Sequence, residues 1–120
     1  MMDPTAFSAA WVRDWNAHDL DAIVAHYAED VVFRSPKVAR YTGGKTDTLV
    51  GKGALRAYFA RGLAFRTELH FSDPKPCWDG TGIALIYAGE DGSTAVETMT
   101  LDDDGLVAEA RVFYDRNIEP

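Results

Sequence analysis

The residue whose type and neighbours best suit chemistry is Glu97. Side chains alternate along a strand, so Ala95, Met99 and Leu101 are expected on the same face as this carboxyl group. A carboxyl group among apolar partners is costly to ionise and has a raised pKa, which a general acid or base at neutral pH needs. In the alternative interpretation the carboxylate faces outwards and pairs across the sheet with an arginine such as Arg111.

Phe7, Trp11 and Trp15 follow one another at a spacing of one helical turn, so they share one helix face. Such a stripe is typical of a buried core, and its alternative is an aromatic wall for a flat apolar ligand. Ser35 is a weaker candidate, because a nucleophilic serine needs a nearby base and no local pattern supplies one. Simple hydrogen bonding at the floor of a pocket is the other role open to Ser35.

The three histidines do not form a metal motif, because neither HxH nor HExxH spacing occurs. We therefore expect no metal site and no cofactor. Leu69 and Phe71 are expected to face inwards, which leaves His70 between them outside. The acidic run 102–104, followed by Gly105, is typical of a hairpin turn, and the sequence Gly51-Lys52-Gly53 lacks the longer glycine loop and following hydroxyl of a phosphate cradle.

The composition excludes several classes of protein. The formal charge of −7 argues against a general nucleic-acid binder, which needs a basic face. No stretch approaches the roughly 20 apolar residues that span a bilayer, and no signal peptide is visible. Cys77 is the only cysteine, so the chain cannot form an internal disulfide, and we expect a cytoplasmic protein.

The elements that position these residues are organised around the stretch WNAHDLDAIVAHYAEDVVFRSP. Asp19 is expected to cap a helix whose apolar face runs to Ala28, and an alternating strand follows from Val31. Pro36 is predicted to end that strand, because proline cannot donate to a sheet ladder. Residues 37–50 are predicted to form a loop, in which Tyr41 is the one large aromatic residue.

Before this stretch, Asp3-Pro4 is a typical helix start. After it, a helix opens at residues 51–53, and strands are predicted at 65–73, 82–88, 93–101 and 106–114. Pro74 is expected to end the first of these strands. The order of helices followed by an antiparallel meander predicts an α+β fold, with residues 1–120 forming one domain.

This order resembles the nuclear transport factor 2-like superfamily, and within it the SnoaL-like polyketide cyclase and ketosteroid isomerase branch. The resemblance rests on the stretch quoted above, the helix GKGALRAYFARGL and the strands AVETMTLDDDGLVAEARVFY. It implies a cone-shaped, curved antiparallel sheet wrapped around the N-terminal helices, a cystatin-like α+β barrel. It also implies a mostly apolar pocket at the open end of the cone and, commonly, a homodimer.

The resemblance also allows a test for ketosteroid isomerase chemistry, which needs a carboxylate base, a tyrosine and a protonated carboxylic acid. Ser35 stands where the base is expected and Trp11 where the tyrosine is expected, whereas Glu97 keeps the acid. With one group of three present, we do not expect this activity. The Asp-Arg-Asp set of an epoxide hydrolase is also absent from the sequence.

By resemblance, the last strand lines the pocket, so Tyr114 is expected to hydrogen-bond a ligand or Glu97. A plain core tyrosine near the rim is the alternative. Tyr27 matches a pocket tyrosine of the isomerases, and Phe59 replaces another, so their phenol network is incomplete here. The predicted ligand-binding residues are Trp11, Trp15, Tyr27, Phe33, Ser35, Phe59, Leu63, Met99 and Val112.

Two functions follow as hypotheses. In the first, the protein binds an apolar, in some cases cyclic, small molecule and catalyses cofactor-free isomerisation, cyclisation or dehydration. Glu97 is then the acid or base, with Tyr114 and Tyr27 as hydrogen-bonding partners. In the second, the domain is a non-catalytic ligand-binding or dimerisation module whose cone is filled by side chains.

Overall fold

A computed structural model describes residues 3–119. Four helices and six strands form the α+β fold that the sequence predicts. In chain order they are α1 Pro4–Asn16, α2 Leu20–Val24, β1 Tyr27–Arg34, α3 Pro36–Tyr41, β2 Thr48–Val50, α4 Lys52–Phe65, β3 Ser72–Trp78, β4 Gly82–Ala88, β5 Thr94–Leu101 and β6 Val107–Tyr114. None of the helices in this part of the chain is long and apolar enough to cross a membrane.

The six strands form one curved sheet in the order β2-β1-β6-β5-β4-β3, which does not close on itself. The meander from β3 to β6 is antiparallel, as predicted, and β2 is antiparallel to β1. The pairing of β1 with β6 is parallel. This pairing places the first strand beside the last one, with only β2 between it and the edge of the sheet.

The first two helices begin at the predicted residues. The Asp3 carboxylate accepts hydrogen bonds from the backbone amides of Thr5 and Ala6, and Asp19 accepts one from Ala22. Helix α2 is shorter than predicted and ends at Val24. Strand β1 begins earlier than predicted, at Tyr27, because Tyr27 pairs with β6. The apolar spacing of this segment suits either a helix or a strand.

The segment predicted to be a loop contains two short elements. Ser35 caps helix α3 by accepting a hydrogen bond from the amide of Lys37, and Pro36 occupies the first helical position, where no amide hydrogen is needed. Pro36 therefore ends β1 and also starts a helix. Strand β2 then pairs with residues 32–34 of β1.

The strand predicted at 65–73 is also displaced. Phe65 is the last residue of α4, and β3 begins at Ser72 and continues through Pro74 and Pro76. The expectation that Pro74 ends the strand is wrong because β3 lies at the edge of the sheet, where a missing amide hydrogen costs no ladder bond.

The helices cover the concave face of the sheet, where α1 contacts β3 and α4 contacts β1. Strands β4 and β5 bury alternate residues, so one face of each contributes to the core. Leu69 and Phe71 are buried and His70 is exposed, as predicted. Between the helices and the sheet lies a core rich in aromatic rings, and Glu97 is inside it.

Candidate functional site

Glu97 points into the core from the middle of strand β5. Its relative exposure is 3%, and Ala95 and Met99 on the same face are also buried. Val112 on β6 and Leu85 on β4 lie directly opposite. The prediction that this strand face carries a carboxyl group among apolar neighbours is therefore confirmed.

Two tyrosines donate hydrogen bonds to the Glu97 carboxylate. The Tyr87 hydroxyl lies 3.2 Å from Oε1, and the Tyr27 hydroxyl lies 3.5 Å from Oε2. The Trp11 indole N–H in turn donates to the Tyr27 oxygen at 3.1 Å. The alternative pair with Arg111 is not formed: Arg111 is exposed, and its guanidinium lies 4.7 Å from the Phe113 ring centre.

Burial raises the pKa of Glu97 to about 7, although the hydrogen bonds from Tyr87 and Tyr27 favour the ionised form. Burial, together with the neighbouring Glu97 charge, raises the pKa of both phenols well above their usual range. At neutral pH the tyrosines therefore stay protonated and donate. Glu97 is the member of the trio that can gain or lose a proton near pH 7.

Aromatic rings surround this trio. Trp11 stacks on Phe71 with ring centres 5.7 Å apart, and Phe71 lies 4.5 Å from Tyr87. Trp15 meets Phe59 edge to face at 4.8 Å. All five side chains are buried, so the space beside the carboxylate has a low dielectric constant, which is the cause of its raised pKa.

Trp15 carries an unused donor inside this cluster. Its indole N–H is buried and lies near the Tyr27 hydroxyl, and it lowers the pKa of that phenol. Among residues 3–119, however, no acceptor completes a hydrogen bond with it. The Trp15 N–H is thus a buried donor that a bound acceptor would satisfy.

Tyr114, at the end of strand β6, is less buried than Glu97. It is half-buried and pairs in register with Ala95, and it forms no hydrogen bond with Glu97 among the described residues. Tyr87, and not Tyr114, therefore makes the hydrogen bond to Glu97. Burial raises the pKa of Tyr114, and the nearby phenol of Tyr58 raises it further.

Ser35 lies between strand β1 and helix α3. Its side chain is buried and accepts a hydrogen bond from the Lys37 amide at 3.2 Å. The same hydroxyl lies beside the phenols of Tyr58 and Tyr114 and lowers the pKa of each. Ser35 is therefore a helix cap. This role was not predicted, because residues 37–50 were expected to form a loop.

The structure brings the other predicted ligand-binding residues together in the same core. Leu63 is half-buried and packs against the cluster, and the rest are buried, with at most 8% of their surface exposed. These buried residues are Trp11, Trp15, Tyr27, Phe33, Phe59, Met99 and Val112.

Two cavities lie away from this cluster. One, of about 280 Å³, is bordered by residues such as Trp78, Ala84 and Thr98, and the other, of about 300 Å³, by residues such as Glu109 and Arg111. Ala84, Thr98, Glu109 and Arg111 alternate with the buried strand residues, so both cavities open on the outer face of the sheet. Neither is lined by Glu97.

The histidines have separate roles. His26 Nε2 lies 2.8 Å from Asp14 Oδ2, and His18 Nε2 lies 2.8 Å from the Leu69 carbonyl oxygen. Within residues 3–119, no three His, Cys, Asp or Glu side chains are grouped closely enough to hold a metal ion.

Sequence reasoning missed three residues of the site: Tyr87, Tyr58 and Lys37. Tyr87 shares a face of β4 with Ile83 and Leu85, but Ile86 makes the other face apolar too, so alternation alone did not identify the inner face. Tyr58 lies in the helix predicted to open at residues 51–53, but nothing in the sequence singled it out. No pattern identified Lys37, because its helix was predicted to be a loop.

Comparison with known proteins places this geometry in a family. The family model of the SnoaL-like domain matches residues 9–117. None of the curated proteins compared with the chain matches it. A solved SnoaL-like protein of unknown function from Burkholderia thailandensis is 33% identical, with a TM-score of 0.89 and 94% of each chain covered.

Two further structures show the same fold at lower identity. An NTF2-like protein of unknown function from Cytophaga hutchinsonii is 14% identical, with a TM-score of 0.72, 96% of this chain and 92% of that chain covered. SalBIII, an epoxide hydrolase/cyclase-like enzyme with a role in pyran ring formation in salinomycin, is 22% identical, with a TM-score of 0.68 and coverage of 92% and 89%. The chain therefore belongs to the SnoaL-like family.

Proposed function

We propose that the protein binds an apolar small molecule on the concave side of its sheet and transfers a proton with Glu97. The observation that carries the proposal is a buried carboxyl group with two phenol donors and a pKa raised to about 7. A general acid or base works best when its pKa is near the working pH. Cofactor-free isomerisation, cyclisation and dehydration all need such a group.

In this scheme the ionised Glu97 takes a proton from the ligand and the neutral acid returns one to another atom of the ligand. Tyr87 and Tyr27 stabilise the ionised form before the first step and after the second, because both donate to it. Tyr114 is the hydrogen-bonding partner for the ligand nearer the open end. The aromatic rings supply an apolar wall that excludes water and keeps the proton transfer in a low dielectric.

Ketosteroid isomerase activity is not part of the proposal. Ser35 is a helix cap and not a base, and the Trp11 indole N–H is already bound to Tyr27. SalBIII, which shares the fold, is named for ring formation, and this supports cyclisation among the candidate reactions.

A ligand must enter where the core is least closed. Leu63, Tyr58 and Tyr114 are half-buried, whereas the rings around Glu97 are buried. We place the entrance at these three side chains. Binding then requires them to turn outwards, and the unused Trp15 N–H gives a bound acceptor atom a partner inside.

The test needs no knowledge of the natural substrate. The protein is incubated in D₂O with a panel of cyclic ketones and enones, and deuterium entering the carbon next to the carbonyl is followed by NMR. We expect exchange with the native protein and with Glu109→Gln, which changes an exposed carboxylate on the outer face. Exchange that persists undiminished in Glu97→Gln would show that Glu97 is not the proton carrier.

One observation favours a second function. The rings fill the concave side so closely that all the predicted ligand-binding residues except Leu63 are buried. A non-catalytic ligand-binding or dimerisation module would have this property. It predicts that substitutions of Glu97 and Trp15 change stability or partner binding, with no deuterium exchange above that of buffer for any ketone.

We also propose that the protein forms a homodimer in the cytoplasm. The outer sheet face exposes 43% of Phe113 beside half-buried Val96, which supplies apolar surface for a second copy. The free, exposed thiol of Cys77 is suited to a reducing compartment. Sedimentation equilibrium of the native protein and of Phe113→Asp tests the dimer. A native protein that sediments as a monomer at micromolar concentration would contradict it.

A further inference from the structure

The side chain of Lys37 lies at the entrance with no charged partner. Its amine is 4.5 Å from the centre of the Tyr114 ring, and the residue is half-buried. Among the salt bridges of residues 3–119, none includes Lys37. The bond from its amide to the Ser35 hydroxyl fixes the start of the helix that carries it.

The other charged groups near this amine are Arg66, Arg40, Asp91 and Glu90. Each of them has another hydrogen-bond partner. Arg66 holds Glu90 with contacts of 2.6, 2.9 and 3.2 Å, Asp91 accepts from Ser93, and Arg40 donates to the Glu119 carbonyl.

Positive charge here comes from Lys37, Arg66 and Arg40 and negative charge from Asp91 and Glu90, in a chain whose formal charge is −7. Lys37 is the cation that remains available to a ligand. Burial, ahead of the Arg66 charge, lowers the pKa of Lys37 to about 8, so the amine is still mostly charged at pH 7 and a bound anion would favour that form further.

Three hydroxyl groups accompany the amine. Ser35 lies beside the phenols of Tyr58 and Tyr114. Burial raises the pKa of Tyr58 to about 12 and that of Tyr114 further, so both phenols are protonated donors at neutral pH. An ammonium group and three hydroxyls in one place match an anionic oxygen group better than a neutral or cationic one.

We propose that Ser35, Lys37, Tyr58 and Tyr114, here called the entrance cluster, bind the carboxylate of an apolar organic acid whose apolar part enters the core. This rests on the proposed function, since it assumes that the core admits a ligand, and it specifies the ligand class. The acid group lies at the entrance and the apolar part lies towards Glu97. The entrance cluster is a binding and positioning site, and it takes no part in the proton transfer.

The test uses 1-naphthaleneacetic acid and its methyl ester, which differ in charge and share the same apolar ring. Binding of each to the full chain is measured at pH 7 by fluorescence titration. We expect the acid to bind about tenfold more tightly than the ester, as for a charge-assisted contact. Lys37→Gln should remove the preference, Lys37→Arg should keep most of it, and Lys45→Gln, at an exposed loop lysine, should leave it unchanged.

The outcomes separate the two proposals. Equal binding of acid and ester, or a preference that survives Lys37→Gln, overturns the entrance cluster and leaves binding in the core intact. Equal loss in Lys45→Gln also overturns it, because the preference would then come from overall charge. Failure of both probes to bind overturns the entrance cluster together with the proposed core site. A preserved acid preference without deuterium exchange supports the entrance cluster and contradicts the proton transfer. Melting curves of each variant verify that it is folded.

Discussion

Tyr87 and Glu97 lie on neighbouring antiparallel strands, one diagonal step apart, and the phenol donates to the carboxylate across 3.2 Å. The backbone ladder fixes this relationship, since Tyr87 is opposite Ala95 and Glu97 is opposite Leu85. The carboxyl group therefore has its donor in place before any ligand arrives. Four predictions follow from this pair and its neighbours.

Glu97→Gln should change how stability depends on pH. Between pH 4.5 and about 7 the unfolded carboxyl group is ionised while the buried one keeps its proton, so unfolding releases a proton and native stability falls as the pH rises. Above pH 7 the loss is complete and on the order of 3 kcal/mol. The glutamine variant lacks this loss and should be relatively more stable at pH 8 than at pH 5.

Urea unfolding at pH 5, 6, 7 and 8 measures the difference between the variant and the native protein. Glu109→Gln is the matched control, because that carboxylate is exposed on the outer face. A constant difference between Glu97→Gln and the native protein over this range would mean that the pKa of Glu97 is not raised.

Tyr87→Phe should raise the pKa of Glu97 further. The phenol favours the ionised form, and its loss removes a hydrogen bond to a charged group, which amounts to about 1 pKa unit. The carboxyl ¹³C resonance of Glu97, followed by NMR during a pH titration, gives the pKa directly. Tyr41→Phe, on an exposed ring, should leave the titration unchanged. A lower pKa in Tyr87→Phe would contradict the assigned donor.

Trp11→Phe and Trp15→Phe should differ in cost, although both rings are buried. Trp11 loses a hydrogen bond to Tyr27, whereas the Trp15 N–H has no acceptor among residues 3–119. We expect Trp11→Phe to destabilise the protein by about 1 kcal/mol more than Trp15→Phe does. The free energies of unfolding from denaturant titrations decide the matter, and equal losses would show that the Trp11 bond contributes nothing.

Ser35→Ala should lower stability by about 1 kcal/mol, because the cap of helix α3 is lost. Ser35→Thr keeps a hydroxyl and should recover most of this. Thermal and urea unfolding of the two variants measure the effect. If alanine and threonine were equally costly, packing of the buried side chain and not the cap would be responsible.

The sequence predicted well wherever local patterns decide the structure. Asp3 and Asp19 cap their helices as expected, and alternation along β5 placed Glu97 in the core. The errors arose where distant residues decide. Tyr27 fits either a helix or a strand, and its pairing with Val107, far along the chain, makes it the start of β1. Pro74 belongs to a strand because β3 is at an edge, and sheet order cannot be seen locally.

The site was predictable to the same extent. The position of Glu97 follows from period-two alternation, but its partners depend on register between strands. Tyr87 was missed because β4 is apolar on both faces, so the sequence pattern does not show which face is the inner one. Lys37 was missed because its placement depends on a cap and a proline whose helix was predicted to be a loop.

The two ends of the sheet limit how this protein can associate. At one end β2 is three residues long, and at the other β3 carries Pro74 and Pro76, which offer no amide hydrogens to an added strand. Runaway stacking of copies edge to edge, as in amyloid, therefore has no suitable template at either end. Folded molecules are left with the broad faces of the sheet as the surfaces through which they can meet.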